Sequence, residues 1–103
     1  MRPIHVAEVG GKLRPVVVLT REAVRPRLTN VTIAPITSRV RGISTEVPVG
    51  PRNGIDHDSV ISCDNIVTIS TGKLKQFIGH LHDDQETALA EAIIEAFDLD
   101  FQA

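Results

Sequence analysis

Residues 10–20 read Gly-Gly-Lys-Leu-Arg-Pro-Val-Val-Val-Leu-Thr, a glycine pair followed by an almost continuous apolar run. The valines and the leucine favour a buried β-strand, because β-branched side chains pack well on a pleated surface. The two glycines favour a turn, since glycine adopts positive φ without strain. The segment therefore predicts a turn that delivers Arg14 onto the start of a buried strand.

Further short strands are predicted on the C-terminal side of this segment. Residues 31–37 alternate, but Pro35 lacks an N–H, which favours an edge strand or a bulge at that point. Residues 43–49 form the next strand, and residues 38–42, with two arginines, are expected to be a hairpin loop between the two. Two more strands are expected at about 58–63 and 66–70, and one or two helical turns within 71–78.

The C-terminal segment differs from the rest because it predicts an amphipathic helix over residues 84–97. Leu89, Ile93 and Phe97 recur every four residues, and alanines widen the apolar stripe. Asp83 or Asp84 is expected to cap the start of this helix. Short strands followed by one helix predict a single α+β domain over residues 1–103, a small β-barrel with a helix packed on it.

The charge of the chain is unevenly distributed. Residues 1–55 hold nine Lys or Arg against three acidic residues, whereas residues 56–103 hold two against ten, for a net charge of −2. The arginine-rich half suggests a surface for a polyanion, although a solvated basic face explains charge alone equally well.

Composition also limits the class of protein. No apolar run approaches the roughly 20 residues of a membrane span, and residues 1–5 lack an apolar signal core, so we expect a cytoplasmic protein. The lone Cys63 cannot form an internal disulfide, in agreement with a reducing compartment. A domain of 103 residues gains stability from oligomerisation.

Several candidate sites are better explained structurally. His80 and His82 lie on one face of an extended segment, but no third ligand of suitable spacing accompanies them, so we predict no metal site. Cys63 lies in an apolar segment and is expected to be a buried, inert thiol. The sequence Asp56-His57-Asp58 is interpreted as a polar turn before a strand.

Two motifs remain as candidates for chemistry. The first is the loop that ends in Arg14, and the second is Ala34-Pro35-Ile36-Thr37-Ser38, a strand end with two hydroxyls before an arginine-bearing loop. Taken alone, each has an ordinary explanation: a turn with a solvent-facing arginine, or hydroxyls that cap a strand.

The order of these motifs resembles the MazF/PemK toxin family. The resemblance starts with Arg-Pro-Val-Val-Val-Leu and continues, about twenty residues later, with Ala-Pro-Ile-Thr-Ser. It extends through Asp58-Ser59-Val60-Ile61, Asp64-Asn65-Ile66, Lys73-Leu74 and Gly79-His80-Leu81 to Phe97-Asp98-Leu99, and so covers nearly the whole chain. The resemblance implies an SH3-like barrel that dimerises and cleaves single-stranded RNA without a metal or other cofactor.

The resemblance also implies roles for particular residues. Arg14 matches the family's catalytic arginine and Thr37 its catalytic threonine, while Ser38 is a second candidate donor to the scissile phosphate. Attack by the 2′-hydroxyl then leaves a 2′,3′-cyclic phosphate and a 5′-hydroxyl, so DNA cannot react. We expect a toxin that inhibits translation and growth and that is blocked by the acidic C-terminal segment of an antitoxin.

The RNA path is expected to use basic and aromatic side chains near these residues. Because the chain has no Trp or Tyr, base stacking falls to arginine planes, phenylalanines or His5. The residues expected to contact RNA are Lys12, Arg21, Arg39, Arg41 and His5.

Two other functions stay open on the sequence. A gyrase poison of the CcdB type shares this fold but acts through an aromatic C-terminus, whereas this chain ends Asp100-Phe101-Gln102-Ala103 without a tryptophan. A non-catalytic SH3-like binding module would make Arg14 a simple turn residue.

Overall fold

The computed structural model describes residues 1–100 and shows seven β-strands followed by one α-helix. The elements are β1 (Pro3–Val9), β2 (Lys12–Val18), β3 (Asn30–Thr37), β4 (Glu46–Val49), β5 (Ser59–Ser62), β6 (Val67–Ser70), β7 (Leu74–His80) and α1 (Asp83–Ala96). Short 3₁₀ turns lie at Arg25–Arg27, Pro51–Asn53, Cys63–Asn65 and Thr71–Lys73. No helix in residues 1–100 is long and apolar enough to cross a membrane.

All strand pairings are antiparallel and run in the order β4-β5-β3-β2-β1-β7, with β6 also paired to β3. The predicted α+β class is confirmed. The expected closed barrel is not formed by these pairings, because within residues 1–100 the seven-stranded sheet stays open.

The run Val16-Val17-Val18 has no polar residue because both faces of strand β2 are buried. Val17 packs in one core cluster with Ile4, Ile61 and Leu89, whereas the flanking Val16 and Val18 pack in a second cluster. All three valines are fully buried. A strand that is covered on both faces requires apolar residues at every position, so alternation is lost.

Strand β3 lies in the middle of the sheet, so the edge position, one of the two alternatives predicted for it, is wrong. It pairs with β2 on one side and changes partner on the other, from β6 up to Ile33 to β5 from Ile36. Ala34 and Pro35 span this change of partner. Proline has no N–H to donate to a neighbouring strand. It is tolerated here because Ala34 and Pro35 pair with neither β6 nor β5, so no hydrogen bond is lost on that side.

The predicted hairpin between β3 and the next strand is also wrong. Strand β5 lies between β3 and β4, and β4 spans only Glu46–Val49 rather than the expected 43–49. Residues 38–45 instead form a longer connection, which the Glu46 carboxylate stabilises by accepting the main-chain N–H groups of Arg41 and Gly42 at 3.1 and 2.9 Å. The connection is not a hairpin because β5 inserts between β3 and β4, and this long-range pairing is not visible in the local sequence pattern.

The region 71–78 contains less helix than expected. A single 3₁₀ turn at Thr71–Lys73 leads directly into β7, which pairs with β1. The predicted strands at 58–63 and 66–70 are confirmed in position, each shortened by one or two residues as Ser59–Ser62 and Val67–Ser70.

The helix is confirmed, with differences at both ends. Its N-cap is His82, whose N–H donates to the side-chain oxygen of Gln85 at 2.9 Å, so neither Asp83 nor Asp84 is the cap. Leu89 is buried as predicted, whereas Phe97 at the end of the stripe is 55% exposed. The stripe therefore packs on the core as far as Ile93 and Ala96, and Phe97, just beyond the helix, lies mostly in solvent.

Candidate active site

Arg14 is positioned by the first β-hairpin. Strands β1 and β2 pair through Val9 and Lys12, so Gly10 and Gly11 alone form the turn, and both have positive φ (59° and 78°). Two central residues with positive φ match the twist of a hairpin, and glycine adopts that conformation without strain at both positions. The resulting register places Arg14 opposite Ala7 of β1.

The guanidinium of Arg14 has no counter-ion among residues 1–100. Its side chain is half-buried, and its Nε atom is buried without a hydrogen-bond partner among the described residues, a property that it shares with the Nε of Arg25 outside the cleft. The ion pairs of the described residues involve Arg2 and Arg52 instead. A buried donor without a partner is uncommon and costs free energy, so a residue of this kind is available to bind an anion.

Thr37 ends strand β3, where it pairs with Val60 of β5. Its hydroxyl oxygen accepts the main-chain N–H of Arg39 at 3.1 Å, which fixes the side chain and leaves the hydroxyl proton free to be donated. Ser38 follows in an exposed bend. The strand therefore presents two hydroxyls at the position where the chain leaves the sheet.

Arg14 and Thr37 meet between two cavities and line both of them. The larger cavity, of about 510 Å³, has an apolar floor that includes Val6, Ile36 and Ile78. Its polar lining consists of Ser38, Asp56, His57, Ser59 and Gln76. The smaller cavity, of about 140 Å³, is lined mainly by polar groups: Arg39, Arg41, Glu46, Ser62, Asp64 and Asn65. We call the two cavities together the cleft.

The two carboxylates of the smaller cavity already have partners. Glu46 accepts main-chain N–H groups of the 41–42 segment, and Asp64 accepts the hydroxyl of Thr45 at 2.6 Å. Neither carboxylate forms an ion pair with Arg39 or Arg41 within the described residues. Arg14, Arg39 and Arg41 therefore form no direct ion pair among the described residues, although the carboxylates of Glu46, Asp56 and Asp64 also line the cleft. The three guanidinium groups remain available to bind phosphate.

The structure brings together five of the eight residues that the sequence analysis selected. Arg14, Thr37, Ser38, Arg39 and Arg41 all line the cleft. Arg21 instead lines a separate depression of about 200 Å³ with Arg2, Arg25 and Glu86. The other two, Lys12 and His5, lie on the first hairpin and are absent from the residues that line the cleft.

His5 makes contacts of its own on the outer face of β1. Its Nδ1 donates to the carbonyl oxygen of Lys75 at 2.9 Å, and its ring meets that of Phe77 edge to face at 5.7 Å. Phe77 is 52% exposed, so an aromatic surface is present there. Contact of His5, Lys12 and Arg21 with RNA stays a prediction.

Among the polar groups of the cleft that sequence reasoning missed are His57, Gln76, Glu46 and Asp64. They lie on β4, β7 and two connecting segments, and the strand order alone brings them to Arg14. Asn53-Gly54 was the one local signal, because it marks a turn that returns the chain to the sheet. Gly54 does adopt positive φ (83°).

Cys63 is a buried thiol, as the sequence predicts. Burial, together with the smaller effect of the neighbouring charge of Asp64, raises its pKa to about 11. The thiolate is therefore scarce at neutral pH, which argues against a nucleophilic role. Within residues 1–100, no three His, Cys, Asp or Glu side chains are grouped so that they could hold a metal ion.

The sequence of residues 3–97 matches the model of a family described as PemK-like, MazF-like toxin of type II toxin–antitoxin system. The chain belongs to the MazF/PemK toxin family. It is 60% identical over 101 residues to endoribonuclease MazF3 of Mycobacterium tuberculosis (strain CDC 1551 / Oshkosh), covering 98% of this chain and 97% of that protein. The family resemblance inferred from the ordered motifs is thereby confirmed.

Solved structures of MazF proteins share the fold. The M. tuberculosis toxin MazF-mt6 superposes with a TM-score of 0.94 at 60% identity, covering 97% of this chain and all of that one. A mycobacterial endoribonuclease in complex with its cognate antitoxin has a TM-score of 0.85 at 21% identity, covering 97% and 95% of the two chains. Residues 101–103, on which the comparison with gyrase poisons depends, lie outside the described residues.

Proposed function

We propose that this MazF-family protein is the toxin of a type II toxin–antitoxin pair and cleaves single-stranded RNA at the Arg14–Thr37 cleft. The observation that carries the proposal is the position of Arg14, half-buried between two cavities with no counter-ion among residues 1–100. A structural arginine would be expected to pair with a carboxylate or a carbonyl oxygen. An arginine without an ion pair and a hydroxyl whose proton has no acceptor among the described residues, both lining one cleft, can donate hydrogen bonds to the oxygens of a phosphodiester.

The reaction we propose is the one that the family resemblance implies, and the groups in the cleft are suited to it. The 2′-hydroxyl of the RNA attacks the adjacent phosphorus, the bond to the 5′-oxygen breaks, and a 2′,3′-cyclic phosphate and a 5′-hydroxyl result. The Arg14 fork holds two phosphate oxygens as negative charge accumulates on them. The hydroxyl of Thr37 donates a hydrogen bond to the phosphate and so aligns the phosphorus with the attacking oxygen. Ser38 supplies a second hydrogen-bond donor.

The rest of the cleft accounts for RNA binding. Arg39 and Arg41 line the smaller cavity and neutralise phosphates on one side of the scissile bond. The apolar floor of the larger cavity can cover the face of an unstacked base, and its polar rim can bond the edge of that base. No group in this mechanism needs a metal, because the nucleophile belongs to the substrate and arginine supplies the positive charge.

The partners we propose are those of a toxin of this family. One mycobacterial endoribonuclease of the same fold has been solved in complex with its cognate antitoxin. We propose that an acidic antitoxin segment competes with RNA for the unpaired arginines of the cleft, that the toxin acts as a homodimer formed by the domain 1–103, and that it acts on cytoplasmic RNA.

The test is cleavage of a long single-stranded RNA by the purified protein in EDTA, with the new ends mapped. We expect discrete cuts with 5′-hydroxyl ends and no cleavage of DNA of the same sequence. Intact RNA after incubation with folded protein, or fragments with 5′-phosphates that form only when a divalent metal is added, would contradict the proposal. A DNA-relaxation assay with gyrase on the same protein separates it from a gyrase poison.

A further inference from the structure

One part of the lining of the larger cavity is formed by residues 54–57 and by Ser59, and it includes His57. Two contacts fix this segment. Ile55 is buried in the main core cluster, and the hydroxyl of Ser59 donates to the carbonyl oxygen of His57 at 3.1 Å. The imidazole is exposed and faces the same cavity as Arg14 and Thr37. A fixed backbone with an accessible ring is suited to a group that meets a substrate.

Two glycines allow this segment to lie directly against β7. A Cβ at Gly54 would lie 2.7 Å from the carbonyl oxygen of Ile78, and a Cβ at Gly79 would collide with the carbonyl oxygen of Asn53. Only glycine permits so close an approach of two backbones. The position of His57 in the wall of the cavity is therefore built into the packing of the fold.

The other groups of the cleft are poorly suited to accept a proton. The carboxylates of Glu46 and Asp64 already accept hydrogen bonds, whereas the exposed carboxylate of Asp56 lines the same cavity as His57. Arginine is permanently charged and has no acceptor. Among the described residues that line the two cavities, His57 is the one imidazole, and an imidazole accepts protons near neutral pH better than a carboxylate does.

We propose that His57 is the general base of the cleavage reaction, an inference that rests on the function proposed above. A ring nitrogen of His57 takes the proton of the 2′-hydroxyl while the 2′-oxygen bonds to phosphorus. As the bond from phosphorus to the 5′-oxygen breaks, that oxygen takes a proton from water. The hydroxide so formed recovers the proton from the imidazolium, which returns the enzyme to its starting state.

The base must be neutral at the start of the reaction, so its protonation sets the acidic side of the pH–rate profile. The charged groups that line this cavity with the imidazole are Arg14 from β2 and Asp56 from its own segment, whereas Asp58, the next residue, lines a different cavity. Strands β3 and β7 contribute only neutral side chains, Ile36, Thr37, Gln76 and Ile78, to this cavity. The rate of the wild type is therefore expected to rise with pH along that acidic limb, because His57 must be unprotonated to act as a base.

The test uses single-turnover cleavage of a short RNA by the full-length protein and by His57→Ala. We expect the rate of His57→Ala to fall about 100-fold at neutral pH, the acidic limb of its pH profile to disappear, and free imidazole in the buffer to restore part of the rate. His80→Gln is the matched control, because His80 lies on β7 outside the residues that line the cleft. That variant is expected to keep the wild-type rate and pH profile.

Two results would overturn the assignment. The first is a His57→Ala rate within threefold of the wild type, or a slower rate that keeps the acidic limb and does not respond to imidazole. The second is recovery of the cleavage rate of His57→Ala on a substrate whose leaving 5′-oxygen is replaced by sulfur. A sulfur leaving group needs no proton from a general acid, so recovery would mean that His57 is the acid and not the base. If the wild type itself does not cleave RNA, the proposed function fails rather than this assignment.

Discussion

Two polar regions of the molecule differ in how they use their hydrogen-bonding groups. At the start of α1, the buried side chains of Asn53 and Gln85 bond to each other through both amides, at 2.7 and 3.0 Å. They also bond to main-chain groups of Pro48, Gly50, His80 and His82. In the cleft, Arg14 has a buried Nε with no partner in the described residues, and no ion pair.

The difference separates folding from function. The amide pair is satisfied within the chain, so it joins α1 to β4, β7 and the 50–54 turn and contributes to stability. Arg14 gains little from folding, because its donors have no partner until an anion arrives. Variants of the two regions should therefore affect different properties.

The largest loss of stability is expected from Gln85→Ala. The substitution removes four hydrogen bonds and leaves the N–H of His82 and the carbonyl oxygen of Pro48 without side-chain partners, next to a new void. Unpaired buried groups and a void together cost about 3 kcal/mol. Chemical denaturation measures the loss, and the rate of RNA cleavage per folded molecule is expected to stay unchanged.

Glu91→Gln is the control for this variant, because Glu91 is exposed on the same helix. A loss of stability below about 1 kcal/mol in Gln85→Ala, or an equal loss in Glu91→Gln, would show that the Asn53–Gln85 pair does not contribute specifically to stability.

A smaller effect is expected from Arg39→Ala combined with Arg41→Ala. Both side chains are exposed, so stability should not change, whereas RNA binding should weaken. Loss of two phosphate contacts makes the slope of log K against log salt less steep by about 1.4. Titration of an RNA that carries 2′-deoxy at the cleavage site measures binding without cleavage.

Arg27→Ala combined with Arg52→Ala removes the same charge outside the cleft and serves as the control. If both double variants change the salt slope equally, Arg39 and Arg41 act only through net charge and not through contact with the RNA path.

The catalytic candidates were accessible to sequence analysis because they lie in contiguous motifs. Arg14 adjoins a strand that must be apolar throughout, and Thr37 ends a strand whose pattern is visible locally. The strand order was not accessible, since β5 enters between β3 and β4 through long-range pairing. For the same reason, His57 and Gln76 could not be placed in the cleft, nor Arg21 in its separate depression.

The central claim is that Arg14 serves the substrate and not the fold, and Arg14→Ala tests it most directly when cleavage and unfolding are measured on the same preparation. We predict a 100- to 1,000-fold loss of cleavage rate, of about the size caused by removing a donor to a developing oxyanion. The free energy of unfolding should stay within about 0.5 kcal/mol of the wild type. A variant that is clearly destabilised yet cleaves RNA at the wild-type rate would contradict the account.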